Sequence, residues 1–229
     1  MVRECECQRR HLRRKIVLTG GPGAGKTAVL ELLRHSLCQH VVVLPESAGI
    51  VFGGGFPRRD TAGVKRAAQR AIYYVQRELE AVAEADGAGI VLCDRGVVDG
   101  AAYWPGPEDF WSSVDTTRDE ALARYDAVIH MRVPAGDNGY GHQNPLRIES
   151  ASQAREIDER IARAWEGHRR RYVIDAAADF ITKAEHALAI LQQELPDCCR
   201  RHVADAVQTH ATMPGTPAVG RGGTGVRAS

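Results

Sequence analysis

Short runs of apolar residues alternate along the chain with longer stretches in which apolar residues recur every three or four positions. The short runs are rich in Val, Ile and Leu, which is typical of strands buried on both faces of a parallel sheet. They occupy residues 15–19, 40–44, 90–93, 126–133 and 172–175. The periodic stretches predict helices at residues 28–38, 61–85, 121–125, 152–171 and 182–195. This alternation of strands and helices predicts one α/β domain.

A glycine-rich segment separates the first predicted strand from the first predicted helix. It reads GGPGAGKT and matches G-x-x-x-x-G-K-[ST], the phosphate-binding loop of nucleotide-binding proteins. Glycines let backbone N–H groups approach phosphate oxygens. Lys26 can reach the β- and γ-phosphates, and the Thr27 hydroxyl can bind Mg²⁺. The alternative is a glycine-rich turn without a ligand. The predicted nucleotide-binding residues of this loop are Gly21, Pro22, Gly23, Ala24, Gly25, Lys26, Thr27 and Ala28.

Charged residues follow the second and third predicted strands. Glu46 comes after residues 40–44, and Asp94 and Arg95 come after residues 90–93. The carboxyl ends of parallel strands form the ligand-binding edge of an open sheet. Glu46 is therefore a candidate general base or substrate ligand, and Asp94 a candidate Mg²⁺ ligand or proton acceptor. Arg95 is a candidate phosphate contact. The structural alternatives are a capping or solvated Glu46 and a surface Asp94–Arg95 ion pair.

Two glycine-rich stretches could cover such a site. Residues 49–59 form a predicted loop that either closes over a substrate or only connects two elements. Residues 135–145 lead into an arginine-bearing helix, and together they predict a lid over about residues 135–165. Arg147 and Arg155 lie nearest the lid loop and are its candidate nucleotide contacts. A solvated helix with i,i+4 ion pairs is the alternative.

An aromatic cluster follows the third predicted strand. Tyr103, Trp104, Phe110 and Trp111 could wall an acceptor pocket, or they could pack a helix against the sheet.

Both ends of the chain differ from the predicted domain. Residues 1–13 are charged and lack periodicity, which predicts a flexible extension, and residues 197–229 predict a largely disordered tail. Cys38 and Cys93 are predicted core residues. A zinc site made of Cys5, Cys7, His11 and a distant partner is a less favoured alternative, because C-x-C differs from the usual ligand spacing.

Composition excludes several classes of function. The formal net charge of +1 does not favour nucleic-acid binding. No apolar run approaches the roughly 18 residues that span a bilayer, and the N-terminus lacks the apolar segment of a secretory signal. We therefore expect a cytoplasmic protein without a membrane span or a nucleic-acid partner.

The order of these motifs resembles a known family. The quoted motifs are GGPGAGKT, a strand ending in PE, a strand ending in DRG, and RIE before IDERI. Over residues 14–196 they resemble the AAA-type ATPase family with NadR-like members, and they are similar to ribosylnicotinamide and deoxynucleoside kinases. The resemblance implies a three-layer α/β/α P-loop fold with a five-stranded, mainly parallel sheet and a helical lid. Glu46 would match the candidate base of those kinases, and Asp94–Arg95 their acidic–arginine pair.

These observations favour an ATP-dependent kinase. Lys26, Glu46, Asp94 and Arg95 are its predicted catalytic residues, with Thr27 and Asp94 as the Mg²⁺ ligands. ATP is the expected nucleotide, GTP is possible, and the acceptor would be a hydroxyl of a small, nucleoside-like molecule. The rival hypothesis is a nucleotide-binding switch that hydrolyses ATP or GTP slowly or not at all and engages a partner protein or lipid. The sequence leaves the acceptor and the oligomeric state open.

Overall fold

Five parallel strands form one sheet in the computed structural model, which describes residues 7, 11–34, 37–134, 150–176 and 180–200. The spatial order of the strands is β2-β3-β1-β4-β5. Every neighbouring pair is parallel. The strands are β1 (Arg14–Thr19), β2 (Val41–Leu44), β3 (Ile90–Asp94), β4 (Ala127–Met131) and β5 (Arg171–Ile174). Each begins and ends within a few residues of a predicted apolar run, because these runs are the segments that can be buried on both faces.

Helices connect the strands. They are α1 (Lys26–Arg34), α2 (Ser47–Gly53), α3 (Ala62–Ala85), α4 (Gly100–Tyr103), α5 (Arg118–Ala123), α6 (Ala151–Ala164) and α7 (Phe180–Glu194). Capping boxes fix the start of two of them. Thr117 and Glu120 cap α5, and Ser150 and Gln153 cap α6, so that backbone N–H groups at both helix starts have side-chain acceptors.

The sheet separates two hydrophobic cores. One core packs the α1 and α7 side chains against alternate strand residues such as Ile16 and Ile129. The other packs side chains of α3 to α6 against the opposite face, around Val17 and Val128. This confirms the predicted α/β/α fold with a five-stranded sheet, and the sheet is parallel throughout. Among the described helices, none is both long enough and apolar enough to cross a membrane.

Two predicted elements differ from the structure. The predicted loop at 49–59 begins as helix, because α2 extends from Ser47 to Gly53. The predicted helix at 152–171 ends at Ala164. Trp165 is fully buried there, and Gly167 takes a left-handed backbone conformation with φ of 80°. That turn redirects the chain into β5, which the charged pattern alone did not reveal.

The strand order places three connections at one edge of the sheet. β1 lies next to β3, and α1, which follows β1, packs on the opposite face of the sheet from α4, which follows β3, so a crevice forms between the ends of these two strands. In the β1–β3 register, Leu18 pairs with Asp94, and in the β2–β3 register Leu44 pairs with Cys93. The residues that follow β1, β2 and β3 therefore meet at this edge.

Candidate active site

The phosphate loop runs from the end of β1 into α1 beneath α6. A Cβ atom on Gly21 would lie 2.7 Å from the Ala154 carbonyl oxygen and 2.8 Å from the Asp158 Cβ. Only glycine fits at that position because α6 packs directly on the loop backbone. Gly23 and Gly25 take left-handed conformations, with φ of 82° and 94°. The loop is thus folded back on itself as the sequence pattern predicts.

Lys26 is buried at the centre of this loop. Its Nζ donates hydrogen bonds to the carbonyl oxygens of Gly20 and Gly21, at 3.0 and 3.1 Å. Burial, and after it the nearby Arg95 guanidinium, lower the pKa of Lys26 to about 8, against the opposing effect of Asp94, Glu46 and Asp99. An ammonium held in this way favours an anionic ligand, because phosphate oxygens would restore the charge interactions that burial removed.

Thr27, in the first turn of α1, lies against Asp94, at the end of β3. The Thr27 hydroxyl donates to Asp94 Oδ2 at 3.0 Å. The other oxygen, Asp94 Oδ1, is buried and has no hydrogen-bond partner among the described residues. Burial raises the pKa of Asp94, and Glu46 adds to this, while Lys26 and Arg95 oppose it. A buried oxygen without a partner, beside a hydroxyl, suits a hard cation such as Mg²⁺, so these two residues fit the metal that a P-loop implies.

Arg95 connects the ends of three strands. Its Nε donates to Glu46 Oε1 at 2.7 Å, and its Nη1 donates to the Gly20 carbonyl oxygen at 3.0 Å and to Asp99 Oδ2 at 2.9 Å. The residue has a left-handed φ of 71°, which is unusual for a side chain of this size. Three separate acceptors hold the guanidinium in this position, and the strained backbone aims it into the crevice.

Asp99 holds Arg95 in place from below. Its carboxylate is buried and accepts hydrogen bonds from the Thr19 hydroxyl, at 2.7 and 2.8 Å, and from Trp165 Nε1 at 2.6 Å. No motif in the sequence predicted a role for Asp99. Its position five residues after Asp94, in a DRG-x-x-D segment, was the signal available.

Glu46 begins α2 but does not cap it with its side chain. The carboxylate turns towards Arg95 and remains 37% exposed. Burial would raise its pKa, but Arg95 and Lys26 outweigh burial, and the pKa of Glu46 lies below its ordinary value. Glu46 is therefore an ionised acceptor of hydrogen bonds at neutral pH.

Asp158 on α6 is a second residue that the sequence analysis missed. Its Oδ1 accepts from the Gly21 backbone N–H and from His130 Nε2, both at 2.8 Å. Its Oδ2 accepts from the Val133 N–H at 3.2 Å and from Arg132 Nε at 3.1 Å. Burial would raise the pKa of Asp158, but the His130 hydrogen bond and the backbone donors outweigh it and hold the pKa low. An acidic residue within the apolar face of a helix was the available signal.

A cavity of about 550 Å³ joins these groups. One end is formed by the phosphate loop, with Lys26 and Thr27, and the other by α2 and α3. The lining residues from α2, α3 and the loop between them are Phe52, Arg58, Arg59, Lys65, Gln69, Ile72, Tyr73 and Gln76, and Tyr103 of α4 lines the cavity as well. Glu46 and Arg95 lie on its wall together with the loop residues, so one space contacts both sets of groups.

The remaining predicted site residues are placed as follows. Pro22 and Gly23 line the cavity, whereas Ala24 is packed in the core next to the loop. Ala28 is exposed on α1, and Arg155 is half-buried on α6, two residues after Gln153, which does line the cavity. Arg147 and residues 135–149 of the predicted lid lie outside the described residues.

The aromatic cluster divides between the two predicted roles. Tyr103 lines the cavity, and its ring lies 5.6 Å from the Arg95 guanidinium carbon. Phe110 is buried and packs against Tyr73, Trp104 and Trp111, with ring centroids 5.0–6.1 Å apart. Most of these aromatic side chains therefore pack against one another in the core, and only Tyr103 contributes to the cavity wall.

Proteins of known family and known structure share this fold. Residues 15–183 match the family model described as AAA domain. No curated protein gives a significant match. The solved thymidylate kinase from Candida albicans matches with a TM-score of 0.54 and 13% identity, over 80% of this chain and 92% of that chain. NadR protein in complex with NR matches with a TM-score of 0.55 and 18% identity, over 92% of this chain and 55% of that chain.

These comparisons confirm the resemblance that the motifs indicated. At such low identities the two structures establish a shared fold, and this chain spans about half the length of the NadR protein. The family model covers β1, the phosphate loop, the PE and DRG segments and the start of α7. The chain therefore belongs to the AAA domain family of P-loop proteins.

Proposed function

We propose that this protein is a kinase that transfers the γ-phosphoryl group of ATP to a hydroxyl of a small, nucleoside-like acceptor. The observation that carries this proposal is the position of Glu46. Its carboxylate lines the cavity between the phosphate loop and the α2–α3 end, where an acceptor hydroxyl would meet a transferred phosphoryl group. A nucleotide-binding switch needs no carboxylate and no second binding space at this point.

The α2–α3 end of the cavity has the composition of a small-molecule site. Phe52, Ile72, Tyr73 and Tyr103 provide apolar and aromatic walls, and Gln76 provides an amide. Gln76 is buried, accepts from the Ser47 hydroxyl at 2.6 Å, and donates to Glu80 at 3.2 Å. An amide whose orientation is fixed in this way can give specificity by hydrogen bonding, while a base or similar ring packs on the aromatic walls.

Cationic side chains outnumber acidic ones at the same end, where Asp60 also lines the cavity and pairs with Lys65. Arg58, Arg59 and Lys65 line the cavity, and the Arg58 guanidinium carbon lies 4.0 Å from the centre of the Phe52 ring. These side chains would allow the cavity to bind an acceptor molecule that carries a phosphate or carboxylate, as well as an uncharged acceptor. They also supply cationic groups in addition to the few arginines that the lid sequence offers.

The residues divide the chemistry among them. Lys26 and Arg95 would stabilise negative charge on the transferring group. Glu46, ionised because of its cationic neighbours, would accept a hydrogen bond from the acceptor hydroxyl and take its proton as the new P–O bond forms. Thr27 and Asp94 would hold Mg²⁺, which, when bound, neutralises charge on the β- and γ-phosphates. Because phosphoryl transfer depends mainly on positioning, the orienting contact of Glu46 matters more than its basicity.

A screen for acceptor-stimulated ADP release tests this function. The protein is incubated with ATP or GTP, Mg²⁺, and a panel of nucleosides, nucleoside monophosphates, sugars and vitamins. We expect one class to stimulate release, Lys26→Ala to abolish it, and Glu46→Gln to lower it about 100-fold while leaving ATP affinity unchanged. Glu31→Gln is the matched control, since Glu31 is exposed on α1 and pairs with Arg34.

Two results would contradict the proposal. Slow hydrolysis that no acceptor stimulates, together with tight nucleotide binding, would indicate the switch. Unchanged turnover in Glu46→Gln would remove Glu46 from the mechanism.

A further inference from the structure

Cysteine and histidine side chains from three distant parts of the chain converge at the opposite edge of the sheet from the phosphate loop. Cys38 and His40 lie between α1 and the amino end of β2, and Cys198 and Cys199 lie in a helical turn after α7. Among the described residues, two groups of three ligand atoms lie within 4.8 Å of one another. They are Cys38, His40 and Cys199, and Cys7, His11 and Cys198.

Cys38, His40 and Cys199 form one group of ligand atoms, and Cys198 lies beside two of its members at spacings close to those of a tetrahedral metal site. Cys38 Sγ lies 3.3 Å from His40 Nδ1, and Cys198 Sγ lies 3.7 Å from Cys199 Sγ and 3.9 Å from His40 Nδ1. For Zn–S and Zn–N bonds of ordinary length, tetrahedral ligand atoms lie roughly 3.5–3.8 Å apart. Cys38 Sγ and Cys199 Sγ are 2.9 Å apart, so a small side-chain rotation brings this pair to the same spacing.

The backbone around the cluster is fixed by other contacts. The His40 carbonyl oxygen accepts from the N–H groups of Gly89 and Ile90, at 3.1 and 2.9 Å. The Cys199 N–H donates to the Pro196 carbonyl oxygen at 2.8 Å, and both Cys38 and Cys199 are fully buried. The backbone that carries His40 and Cys199 is thus held in place before any ion binds, which lowers the entropy cost of binding one.

Cys93 shows what an ordinary core cysteine looks like in this protein. It is as fully buried as Cys38, on β3, but it belongs to neither of the two groups of ligand atoms that the described residues form. Burial of a small apolar side chain therefore accounts for Cys93. Burial alone does not explain why the thiols of Cys38 and Cys199 lie within 4.8 Å of each other and of the His40 imidazole nitrogen.

We propose that Cys38, His40, Cys198 and Cys199 bind one Zn²⁺ ion. Thiolates with an imidazole form a set of soft and borderline ligands that selects zinc over magnesium or calcium. His11 lies beside this set, with its Nε2 3.1 Å from Cys198 Sγ and its ring edge-on to His40, and Cys7 lies 3.6 Å from His11. In this proposal His11 and Cys7 would lie beside the ion without ligating it, and His11 would orient Cys198 and His40 through its contacts with them.

Such an ion would be structural. Cys38 and Cys199 are separated by 161 positions in the sequence. A shared metal would therefore connect the helical turn after α7 to the segment between α1 and β2. The site is closed by four protein ligands, as structural zinc sites are. It lies at the amino end of β2, whereas Glu46 follows the carboxyl end, and the inference therefore does not depend on the proposed kinase activity.

Metal analysis of the full-length chain tests this site. The protein is purified under reducing conditions without chelators from zinc-supplemented cells. We expect about one zinc per chain, and a loss of about tenfold or more in Cys38→Ser and in Cys199→Ser. Cys93→Ala is the matched control for a buried cysteine, and Cys7→Ser is the control for a neighbour that is not a ligand. Both should retain the ion.

A second measurement covers the case in which a ligand variant does not fold. Wild-type protein loaded with Co²⁺ alone should show thiolate-to-cobalt charge transfer and the visible absorption of a tetrahedral site, and a chelator should lower its thermal midpoint. Wild-type protein with neither zinc nor this spectrum would overturn the proposal. So would a Cys38–Cys199 disulfide in freshly purified protein, or retention of zinc by both serine variants. Loss of zinc from Cys7→Ser would overturn the assignment of the four ligands.

Discussion

Arg95 Nε donates to Glu46 Oε1 across 2.7 Å, and this contact joins the residue after β3 to the residue that begins α2. The same guanidinium reaches the Gly20 carbonyl oxygen in the phosphate loop and Asp99 behind it. One cation thus fixes the relative positions of the loop and of the carboxylate on the cavity wall. A planar group with several donors can satisfy these acceptors at once, and an ammonium on a lysine stem cannot.

Arg95→Lys should therefore show how much of the role of Arg95 depends on its charge and how much on the geometry of its hydrogen-bond donors. We expect acceptor-dependent turnover to fall about 100-fold, because the lysine keeps the charge but loses the fork that aligns Glu46. The free energy of unfolding should fall by about 2 kcal/mol, since Asp99 is left buried with one fewer partner. Turnover assays and urea denaturation measure the two effects. Arg34→Lys, at an exposed pair with Glu31, should change neither, and a full-activity Arg95→Lys variant would exclude this role.

The pKa of Lys26 predicts how nucleotide affinity depends on pH. Burial lowers that pKa to about 8 in the nucleotide-free protein, and bound phosphates favour the charged ammonium and so raise it. Below a pH of about 8 the residue is charged in both states, and Lys26 contributes no pH dependence. Above this pH, binding requires uptake of a proton, so affinity should fall by up to about tenfold per pH unit.

Calorimetric titration with ATP across the alkaline range measures this dependence. Lys26→Met should bind weakly and show no decrease over the same range. Equal slopes for the two proteins would mean that a different group titrates.

The contact between Thr27 and Asp94 predicts which variants lose the metal. Thr27→Val removes the hydroxyl, and Asp94→Asn removes the negative charge and replaces one carboxylate oxygen by an amide nitrogen, which does not ligate Mg²⁺. Both should raise the Mg²⁺ concentration needed for half-maximal turnover by about tenfold or more. Thr27→Ser keeps the hydroxyl and should retain wild-type Mg²⁺ dependence. Asp94→Asn should not destabilise the fold, because it removes a buried charge. Turnover measured against Mg²⁺ concentration separates these cases.

Local patterns in the sequence were enough to predict that Lys26, Glu46, Asp94 and Arg95 lie together. The phosphate loop is a motif in itself, and Glu46 and Asp94 each follow an apolar run whose burial the composition predicts. Because parallel strands end at a common edge, their proximity follows from topology alone. The five-strand fold was predicted for the same reason, since buried strands have a strong local signature.

The parts that could not be predicted depend on contacts between distant segments. Asp99 and Trp165 meet behind Arg95 although 66 positions separate them, and no pattern in either segment indicates the other. The end of α6 at Ala164 depends on the burial of Trp165 and the turn at Gly167, which override the helical charge pattern. The convergence of Cys38, His40 and Cys199 is likewise tertiary, and for that reason ligand spacing in the sequence gave no zinc motif.

Asp158 provides the test of whether α6 supports the phosphate loop. Asp158→Asn keeps the shape of the side chain but removes the charge and one acceptor, so the Gly21 N–H, His130 and Arg132 compete for a single oxygen. We expect the free energy of unfolding to fall by about 2–3 kcal/mol and ATP affinity to fall with it, because the Gly21 N–H loses a full-time acceptor.

Glu159→Gln is the matched control. Glu159 is the next residue on the helix and also pairs with Arg132, but it is 55% exposed, so its loss should cost less than about 1 kcal/mol. Urea denaturation and calorimetric ATP binding, measured on both variants, separate a buried anchor from a surface pair. Equal effects of the two substitutions would show that the contact between α6 and the loop does not support nucleotide binding.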